Sequence, residues 1–177
     1  MRIGIGYDIH RFEPRDQHRA ALPRHPAPRG RRRPLKLGGV LVPSARGLAG
    51  HSDADVLLHA IADALFGAIG EPDLGEQFPS SNVRYRNADS QDFVRAAYAK
   101  VRKRGLIVGN LDATIIADAP KLMGIKMAMR RRIGELLNID PSQVSVKAKT
   151  CEGFEPKGHG IAAQAVVCLQ PVRRGRS

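Results

Sequence analysis

The segment 51–69 constrains the fold more than any other part of the chain. It reads HSDADVLLHAIADALFGAI, and its apolar residues recur at the three- and four-residue spacing of an amphipathic helix. Asp55, His59 and Asp63 follow at intervals of four and line one ridge of that helix. Ser52, three residues before Asp55, predicts a capping-box start at the positive end of the helix dipole. The ridge is either a solvated stripe or part of a site, because ionisable groups on an apolar helix need a partner, a metal or water.

The N-terminus carries a second histidine-bearing pattern. Residues 2–10 alternate with a period of two, which predicts a strand with isoleucines and a tyrosine on one face. The opposite face carries Gly4, Gly6, Asp8 and His10. The last two lie at the end of the strand, where they could hold one cation, and the glycines leave room for a close neighbour. Taken alone, an Asp-x-His pair is a weak indication of a metal.

The remainder of the chain alternates between predicted strands and helices. The sequence LKLGGVLVP predicts a hairpin that turns at Gly38–Gly39. The helices are predicted over 91–104, capped by Ser90, and from Pro120 to about Leu137. The strands are predicted over Leu106–Ala117, Gln143–Lys149 and Ile161–Leu169. This order predicts an α/β (α+β) fold, a single domain over 1–177 with a mixed four-stranded sheet covered by helices.

The polar loop at 71–90 is long enough to be functional, and a second, turn-rich loop follows at 150–160. In the second loop, three residues could hold a phosphate and its counter-cation: Thr150, Glu152 and Lys157. Lys121 is predicted at the head of a helix, where free amide groups favour an anion. The alternative for Lys121 is an ordinary surface lysine.

The formal net charge of +12 raises the question of a nucleic-acid partner. Most of the excess lies in a Pro/Arg-rich insert at 13–34 and a basic tail at 173–177, outside the predicted folded body. Segments of this composition usually stay mobile. The chain has no Trp, three Tyr and five Phe, too few for a base-stacking surface. We therefore expect no specific nucleic-acid partner, and at most weak binding that salt abolishes.

Cys151 and Cys168 form neither a disulfide framework nor a CxxC metal site, so a reducing compartment is expected. The N-terminus lacks the apolar block of a signal peptide, and no apolar run is long enough to span a bilayer. These observations predict a cytoplasmic protein without a membrane partner.

Several stretches together resemble the 2-C-methyl-D-erythritol 2,4-cyclodiphosphate synthases of the non-mevalonate isoprenoid pathway. The matching stretches are GIGYDIH at 4–10, HSDADVLLHAIADAL at 51–65, DLG with FP within 73–79, ADS at 88–90, ATIIADAPK at 113–121, VKAKTCE at 146–152 and GIA at 160–162. They cover most of the chain apart from the insert and the tail. No single motif is specific for this family, but the occurrence of all of them in this order is.

The resemblance implies a homotrimer whose sheets pack around a three-fold axis, with active sites between subunits. It makes Asp8, His10 and His59 zinc ligands, which leaves a fourth position open for substrate. A second divalent cation, Mg²⁺ or Mn²⁺, would bridge the substrate diphosphate near Glu152. Our own addition is Asp63, one turn beyond His59, as a carboxylate that orients the imidazole, with a solvated carboxylate as the alternative.

The implied reaction converts 4-diphosphocytidyl-2-C-methyl-D-erythritol 2-phosphate to the 2,4-cyclodiphosphate and CMP. His51 and Thr150 map to the catalytic residues that stabilise the transition state. The substrate-binding positions are Asp8, His10, His51, Ser52, Asp73, Gly75, Phe78, Ala117, Ala119, Lys121, Leu122, Ala148, Lys149, Thr150, Glu152, Phe154 and Lys157. Of these, Asp73 and Phe78 would line the methylerythritol pocket, and the stretch 117–122 with 148–149 would bind cytidine phosphate from the neighbouring subunit.

Two other functions compete with this one. The same three metal ligands could activate water in a zinc-dependent phosphohydrolase, which would release a linear phosphate instead of a cyclic diphosphate. A basic nucleic-acid-binding module would depend on the insert at 13–34 alone.

Overall fold

The computed structural model describes residues 1–14, 33–154 and 156–172. Its strands are β1 (Arg2–Arg11), β2 (Leu35–Leu37), β3 (Val40–Val42), β4 (Leu106–Ile116), β5 (Val144–Lys149) and β6 (Gly160–Pro171). Its α-helices are α1 (Val56–Ala68), α2 (Leu74–Gln77), α3 (Ser90–Lys103) and α4 (Lys126–Leu137). The predicted order of long elements is confirmed. Most of the insert and all of the tail lie outside the described residues, so the expectation that they are mobile stays a prediction.

Four strands form one mixed sheet in the order β1-β6-β4-β5. β4 and β5 are parallel, and the other two pairings are antiparallel. Ala162 of β6 pairs with Ile9 on one side and with Ile116 on the other. The carboxyl ends of β1, β4 and β5 therefore lie along one end of the sheet. This arrangement confirms the predicted mixed four-stranded sheet in one α/β domain.

The glycines of β1 bring that strand into direct contact with α1. A Cβ atom on Gly6 would lie 2.0 Å from the Ala60 carbonyl oxygen, and one on Gly4 would lie 2.0 Å from the Ala64 carbonyl oxygen. No other residue type fits without moving the helix, because real Cβ atoms do not approach an oxygen so closely. The expectation that these glycines admit a close neighbour is confirmed.

The other face of β1 carries its large apolar side chains and is open in the single chain. Ile3, Ile5, Tyr7 and Ile9 are between 63% and 48% exposed. The alternation predicted from sequence is present, but the apolar face of the strand points away from the helices. A stripe of this kind is typical of a surface that another chain covers.

The helix starts differ from the predicted ones. Asp55, not Ser52, caps α1: its carboxylate accepts from the Leu58 amide at 3.1 Å and from the amides of Gly38 and Gly39 at 2.8 and 2.7 Å. The β2–β3 hairpin, which turns at these two glycines as predicted, is thereby attached to α1. The Ser52 hydroxyl instead accepts from the Ala54 amide at 3.1 Å, ahead of α1, and faces the site described below.

Two further helix starts are corrected. Asp89, not Ser90, caps α3, since its carboxylate accepts from the Gln91 amide at 3.0 Å. The helix predicted from Pro120 begins only at Lys126, after a 3₁₀ turn at Met123–Ile125. Leu122 is buried in the core, and the chain turns there before the helix starts. Lys121 therefore precedes the 3₁₀ turn and does not head α4, so its predicted position is corrected, while anion binding by this lysine stays a prediction.

In the three described ranges, no helix is both long and apolar enough to cross a bilayer.

Candidate metal centre and active site

Asp8, His10 and His59 converge where the end of β1 meets the first turn of α1. The Asp8 Oδ2 atom lies 2.9 Å from His10 Nε2 and 2.9 Å from His59 Nδ1, and these two nitrogens are 3.2 Å apart. They form a cluster of ligand atoms able to hold a metal ion. The three residues predicted as zinc ligands are therefore adjacent in the fold, although 49 residues separate the two histidines.

Neighbouring groups determine which ring nitrogen each histidine presents. His10 Nδ1 lies 2.7 Å from the Ala49 carbonyl oxygen, which can only accept, so Nδ1 carries a proton and the neutral ring offers its lone pair on Nε2. His59 Nε2 lies 2.9 Å from the Ser90 hydroxyl and 3.1 Å from the Ser52 hydroxyl. Its Nδ1 is left facing Asp8. Two imidazole nitrogens and one carboxylate oxygen thus point at one another.

The electrostatics of the cluster fit a cation. Burial alone would raise the pKa of the Asp8 carboxyl, but hydrogen bonds and attraction from His10 and His59 outweigh it and hold that pKa well below its usual range. Burial would lower the pKa of His10, yet its contact with Asp8 raises it. A divalent cation would satisfy all three ligands together, and two imidazoles with one carboxylate form a donor set that zinc favours.

The predicted role of Asp63 as an orienting partner for His59 is wrong. Its Oδ1 accepts from the Leu74 amide at 2.7 Å and so anchors the start of α2. Burial raises the pKa of this half-buried carboxyl. The alternative, a solvated carboxylate, does not describe it either, because Asp63 holds a loop in place.

Of the two serines that contact the outer nitrogen of His59, sequence reasoning named Ser52 only as a helix cap and substrate residue and missed Ser90 as a site residue. Ser90 was interpreted only as a helix cap, although it lies in the motif ADS. Asp53, within the motif at 51–65, had no assigned role, yet its Oδ1 accepts from the Ser90 hydroxyl at 2.5 Å. The signal was the presence of both residues in stretches that carry the resemblance.

Arg33, near the end of the predicted insert, reaches the loop that carries His51. Its Nη1 donates to the carbonyl oxygens of Gly50, at 3.0 Å, and of Ser52, and its Nη2 donates to Asn87 Oδ1 at 3.3 Å. The backbone amide of Asn87 in turn donates to the His51 carbonyl oxygen at 2.7 Å. One guanidinium thus holds both sides of the predicted catalytic histidine.

His51 lies beside the metal cluster. It lines a cavity of about 290 Å³ whose other lining residues are Ile9, His10, Arg11, Ala49 and Gly50. The cavity is open to solvent, and the metal-ligand candidate His10 is part of its wall. A ligand group that fills it would contact both histidines.

Three predicted substrate residues, including the two assigned to the methylerythritol pocket, follow α1 in the chain. Asp73 caps α2 by accepting from the Glu76 amide at 2.9 Å, and Gly75 lies in that helix. The Phe78 ring packs 4.6 Å from the Phe93 ring, which lies 6.0 Å from His59. Aromatic packing therefore connects this loop to the metal cluster.

A second group of predicted residues lies at the β5 edge of the sheet, opposite the β1 edge that carries the metal cluster. Ala117, Ala119, Lys121, Leu122, Ala148 and Lys149 follow or end strands β4 and β5, and the Ala117 amide donates to the Lys149 carbonyl oxygen at 2.9 Å. Three strand spacings, roughly 14 Å, separate β5 from β1. Within one chain, this group and the metal cluster lie at opposite lateral edges of the sheet.

The last predicted residues lie in the turns between β5 and β6. Thr150 donates to the Glu152 carboxylate, while Glu152, Phe154 and Lys157 are all exposed. Among the residues that the structure describes, the cluster of possible metal ligands comprises Asp8, His10 and His59 and does not include Glu152. A second cation at Glu152 therefore stays a prediction.

The comparisons with known proteins agree with this arrangement. The model of the YgbB family matches residues 1–170. The 2-C-methyl-D-erythritol 2,4-cyclodiphosphate synthase of Moorella thermoacetica is 48% identical over 171 residues, 96% of this chain and 94% of that protein. The synthase of that name from Listeria innocua is 45% identical over 172 residues, 96% and 99% of the two chains. A solved structure of such a synthase in a CDP-bound form has a TM-score of 0.80 at 34% identity, over 96% of this chain and all of that one. This chain belongs to the YgbB family.

Proposed function

We propose that the chain converts 4-diphosphocytidyl-2-C-methyl-D-erythritol 2-phosphate to 2-C-methyl-D-erythritol 2,4-cyclodiphosphate and CMP. The observation that carries the proposal is the Asp8, His10 and His59 cluster, found in a chain 45–48% identical to synthases named for this product. The CDP-bound relative supports a cytidine diphosphate as part of the ligand.

The reaction needs positioning more than covalent help from the protein. An oxygen of the 2-phosphate forms a bond to the β-phosphorus, and the bond from that phosphorus to the CMP oxygen breaks. Two anionic groups must be held together while their charge is neutralised. His51, beside the cavity, and Thr150 are the residues to which we assign stabilisation of the developing charge.

Asp8, His10 and His59 would hold zinc, and Glu152 would approach a second divalent cation bound with the diphosphate. Bound zinc supplies a positive charge that neutralises and polarises a phosphate oxygen. The chain's own contribution is to fix the two histidines: Ala49 holds His10, and the Ser90 and Ser52 hydroxyls hold His59.

The proposal includes a homotrimer with shared sites. The exposed stripe Ile3, Ile5, Tyr7 and Ile9 offers an apolar surface for sheet packing between chains. The two groups of predicted substrate residues lie at opposite edges of one sheet, so a neighbouring chain would have to bring them together. We treat the insert at 13–34, apart from Arg33, and the tail at 173–177 as accessory to this domain.

The test is product identification with the purified chain. Incubation with the substrate, zinc and magnesium, followed by ³¹P NMR, should show a cyclic diphosphate and CMP. His59→Ala should abolish the product, and the surface variant Asp92→Asn on α3 should leave it unchanged. Release of a linear phosphate by the wild type would instead indicate a phosphohydrolase and overturn the proposal.

A further inference from the structure

A continuous series of hydrogen bonds leads from His59 to a lysine on the β2–β3 hairpin. His59 Nε2 lies 2.9 Å from Ser90 Oγ, which lies 2.5 Å from Asp53 Oδ1. The other carboxylate oxygen of Asp53 accepts from Lys36 Nζ at 3.0 Å. Three elements, α1, α3 and the hairpin, thus contribute to one series that ends at the candidate metal centre.

The contacts of Ser90 with Asp53 and His59 favour one of the two neutral forms of the imidazole, in which Ser52 Oγ, 3.1 Å from Nε2, is a further acceptor. The Ser90 hydroxyl has a single proton, which it donates to Asp53 Oδ1 in this short contact. Ser90 Oγ can then only accept from His59, so the imidazole proton resides on Nε2. The remaining lone pair of the ring is on Nδ1, the atom that faces Asp8 at 2.9 Å.

The buried setting of the series keeps this arrangement. Ser90 is fully buried, and the side chains of Asp53 and Lys36 are 14% and 25% exposed. Asp53 Oδ1 also accepts from the Ser90 amide at 3.2 Å, which fixes the carboxylate on the start of α3. Burial alone would lower the pKa of Lys36, but its contact with Asp53 raises it, so the lysine stays cationic.

We infer that Ser90, Asp53 and Lys36 are positioning residues that hold His59 in its Nε2–H form and so present Nδ1 to the metal. The inference rests on the proposed metal centre. A carboxylate that accepts from a ligand histidine, here through a serine hydroxyl, fixes the ring and raises its basicity as a ligand. The lysine holds the carboxylate in place through its contact with Oδ2.

The experiment measures metal binding rather than turnover. Co²⁺ dissociation constants would be determined by chelator competition, together with the visible Co²⁺ spectrum, which reports ligand geometry, and the melting temperature of the metal-free protein. The variants are Ser90→Ala, Lys36→Met and Lys36→Arg. The matched control is Lys100→Met, which removes a lysine paired at 2.9 Å with Glu71, away from the metal centre.

Ser90→Ala should weaken Co²⁺ binding by about 10-fold or more and alter the spectrum, in the range known for partners of ligand histidines. Lys36→Met should weaken binding about threefold to tenfold. Lys36→Arg, which retains the charge, should recover most of the affinity. Lys100→Met should bind Co²⁺ with the affinity of the wild type, even if its melting temperature differs.

The inference is overturned if Ser90→Ala and Lys36→Met both bind within twofold of the wild type with an unchanged spectrum. It is also overturned if Lys100→Met loses as much affinity as Lys36→Met, which would indicate a general loss of stability. If Ser90→Ala does not fold, the Lys36 pair and its control decide the question. A wild type that binds no Co²⁺ would overturn the metal centre as well, whereas a binding wild type with unaffected variants overturns this inference alone.

Discussion

The two halves of the proposed active site are built differently. At the β1 edge of the sheet, Asp8, His10 and His59 are at least partly buried, and the outer nitrogen of each imidazole has a protein partner. At the β5 edge, the predicted substrate residues Lys121, Lys149, Thr150, Glu152 and Lys157 are exposed.

The difference indicates what each half has to do before substrate arrives. Metal ligands must converge to within a fraction of an ångström, which requires a rigid support within one chain. Groups that bind a phosphate or a nucleotide can be completed by a neighbouring chain and by the ligand itself. We therefore expect mutations at the β1 edge to affect metal binding and fold, and mutations at the β5 edge to affect turnover alone.

The largest effect is expected where β1 meets α1. Gly6→Val would force a side chain against the Ala60 carbonyl oxygen, so the strand and the helix must separate, at a cost of about 1–3 kcal/mol or more. The metal ligands on both elements would separate too. Thermal unfolding and metal content should both fall sharply.

Gly67→Ala is the matched control on α1. Its added Cβ would have only the Ile5 carbonyl oxygen nearby, at 3.7 Å, and an alanine favours a helix interior over a glycine by about 1 kcal/mol. This variant should be at least as stable as the wild type. If Gly6→Val kept the stability and metal content of Gly67→Ala, the close packing of β1 on α1 would not be what holds the metal ligands together.

The second-largest effect is expected in a complementation experiment, which tests whether the two halves of the active site come from different chains. His59→Ala should lose both metal and turnover, whereas Lys121→Ala should lose turnover and keep its metal. After subunit exchange, a mixture of the two inactive proteins should regain part of the activity, because some interfaces then combine two intact halves. Demonstrated exchange without any recovered activity would contradict a shared site.

Arg33→Ala should give a smaller loss, confined to turnover. The loop carrying His51 would lose the guanidinium contacts with Gly50, Ser52 and Asn87, and displacement of a catalytic group commonly costs about 10-fold or more. Steady-state kinetics would measure kcat/KM, with Arg95→Ala, an exposed α3 arginine, as the control. Equal effects of the two variants would argue against a role for Arg33 at the site.

Asp63→Asn should leave metal affinity within about twofold, because an asparagine oxygen can still accept from the Leu74 amide. If Asp63 oriented His59, its replacement would instead weaken metal affinity by about 10–100-fold. Asp63→Ala, which removes the acceptor, should lower the free energy of unfolding by about 1 kcal/mol. Chelator competition and denaturant unfolding separate these outcomes.

The smallest effect is expected for the insert. Replacing residues 15–32 by a short Gly-Asn turn, with Arg33 retained, should preserve metal content and turnover at moderate salt. Only the association rate at low salt should change, because salt at 0.1 M screens charges beyond about 10 Å. Lost metal or turnover at moderate salt would show that the insert contributes to the site.

Local patterns were sufficient to predict much of this protein. The alternation in 2–10, the helical spacing after Asp55 and the Gly38–Gly39 turn depend on neighbours close in sequence, and each element is present. Asp8 and His10 share a strand face for the same reason. The joint order of the motifs further predicted that His59 completes the cluster.

Tertiary structure alone decided which partner each polar group takes. Ser52, Asp53, Asp55 and Ser90 are all capable helix caps by residue type, and sequence reasoning chose Ser52 and Ser90 where the fold uses aspartates. A cap is determined by which side chain lies within hydrogen-bond reach of free amides, and that depends on how the hairpin and α3 pack on α1. Ser52 and Ser90 instead contact His59 Nε2 through their hydroxyl groups.

The orientation of β1 was likewise not determined by its sequence. Period-two alternation shows that the two faces differ, but it does not show which face packs inward when one consists of glycines and the other of large apolar side chains. Hydrophobicity favours burying Ile3 and Ile5, yet in one chain the glycine face is buried, because only it lets α1 approach so closely. That approach brings His59 to Asp8 and His10, and it is a property of two backbones in contact rather than of either sequence segment.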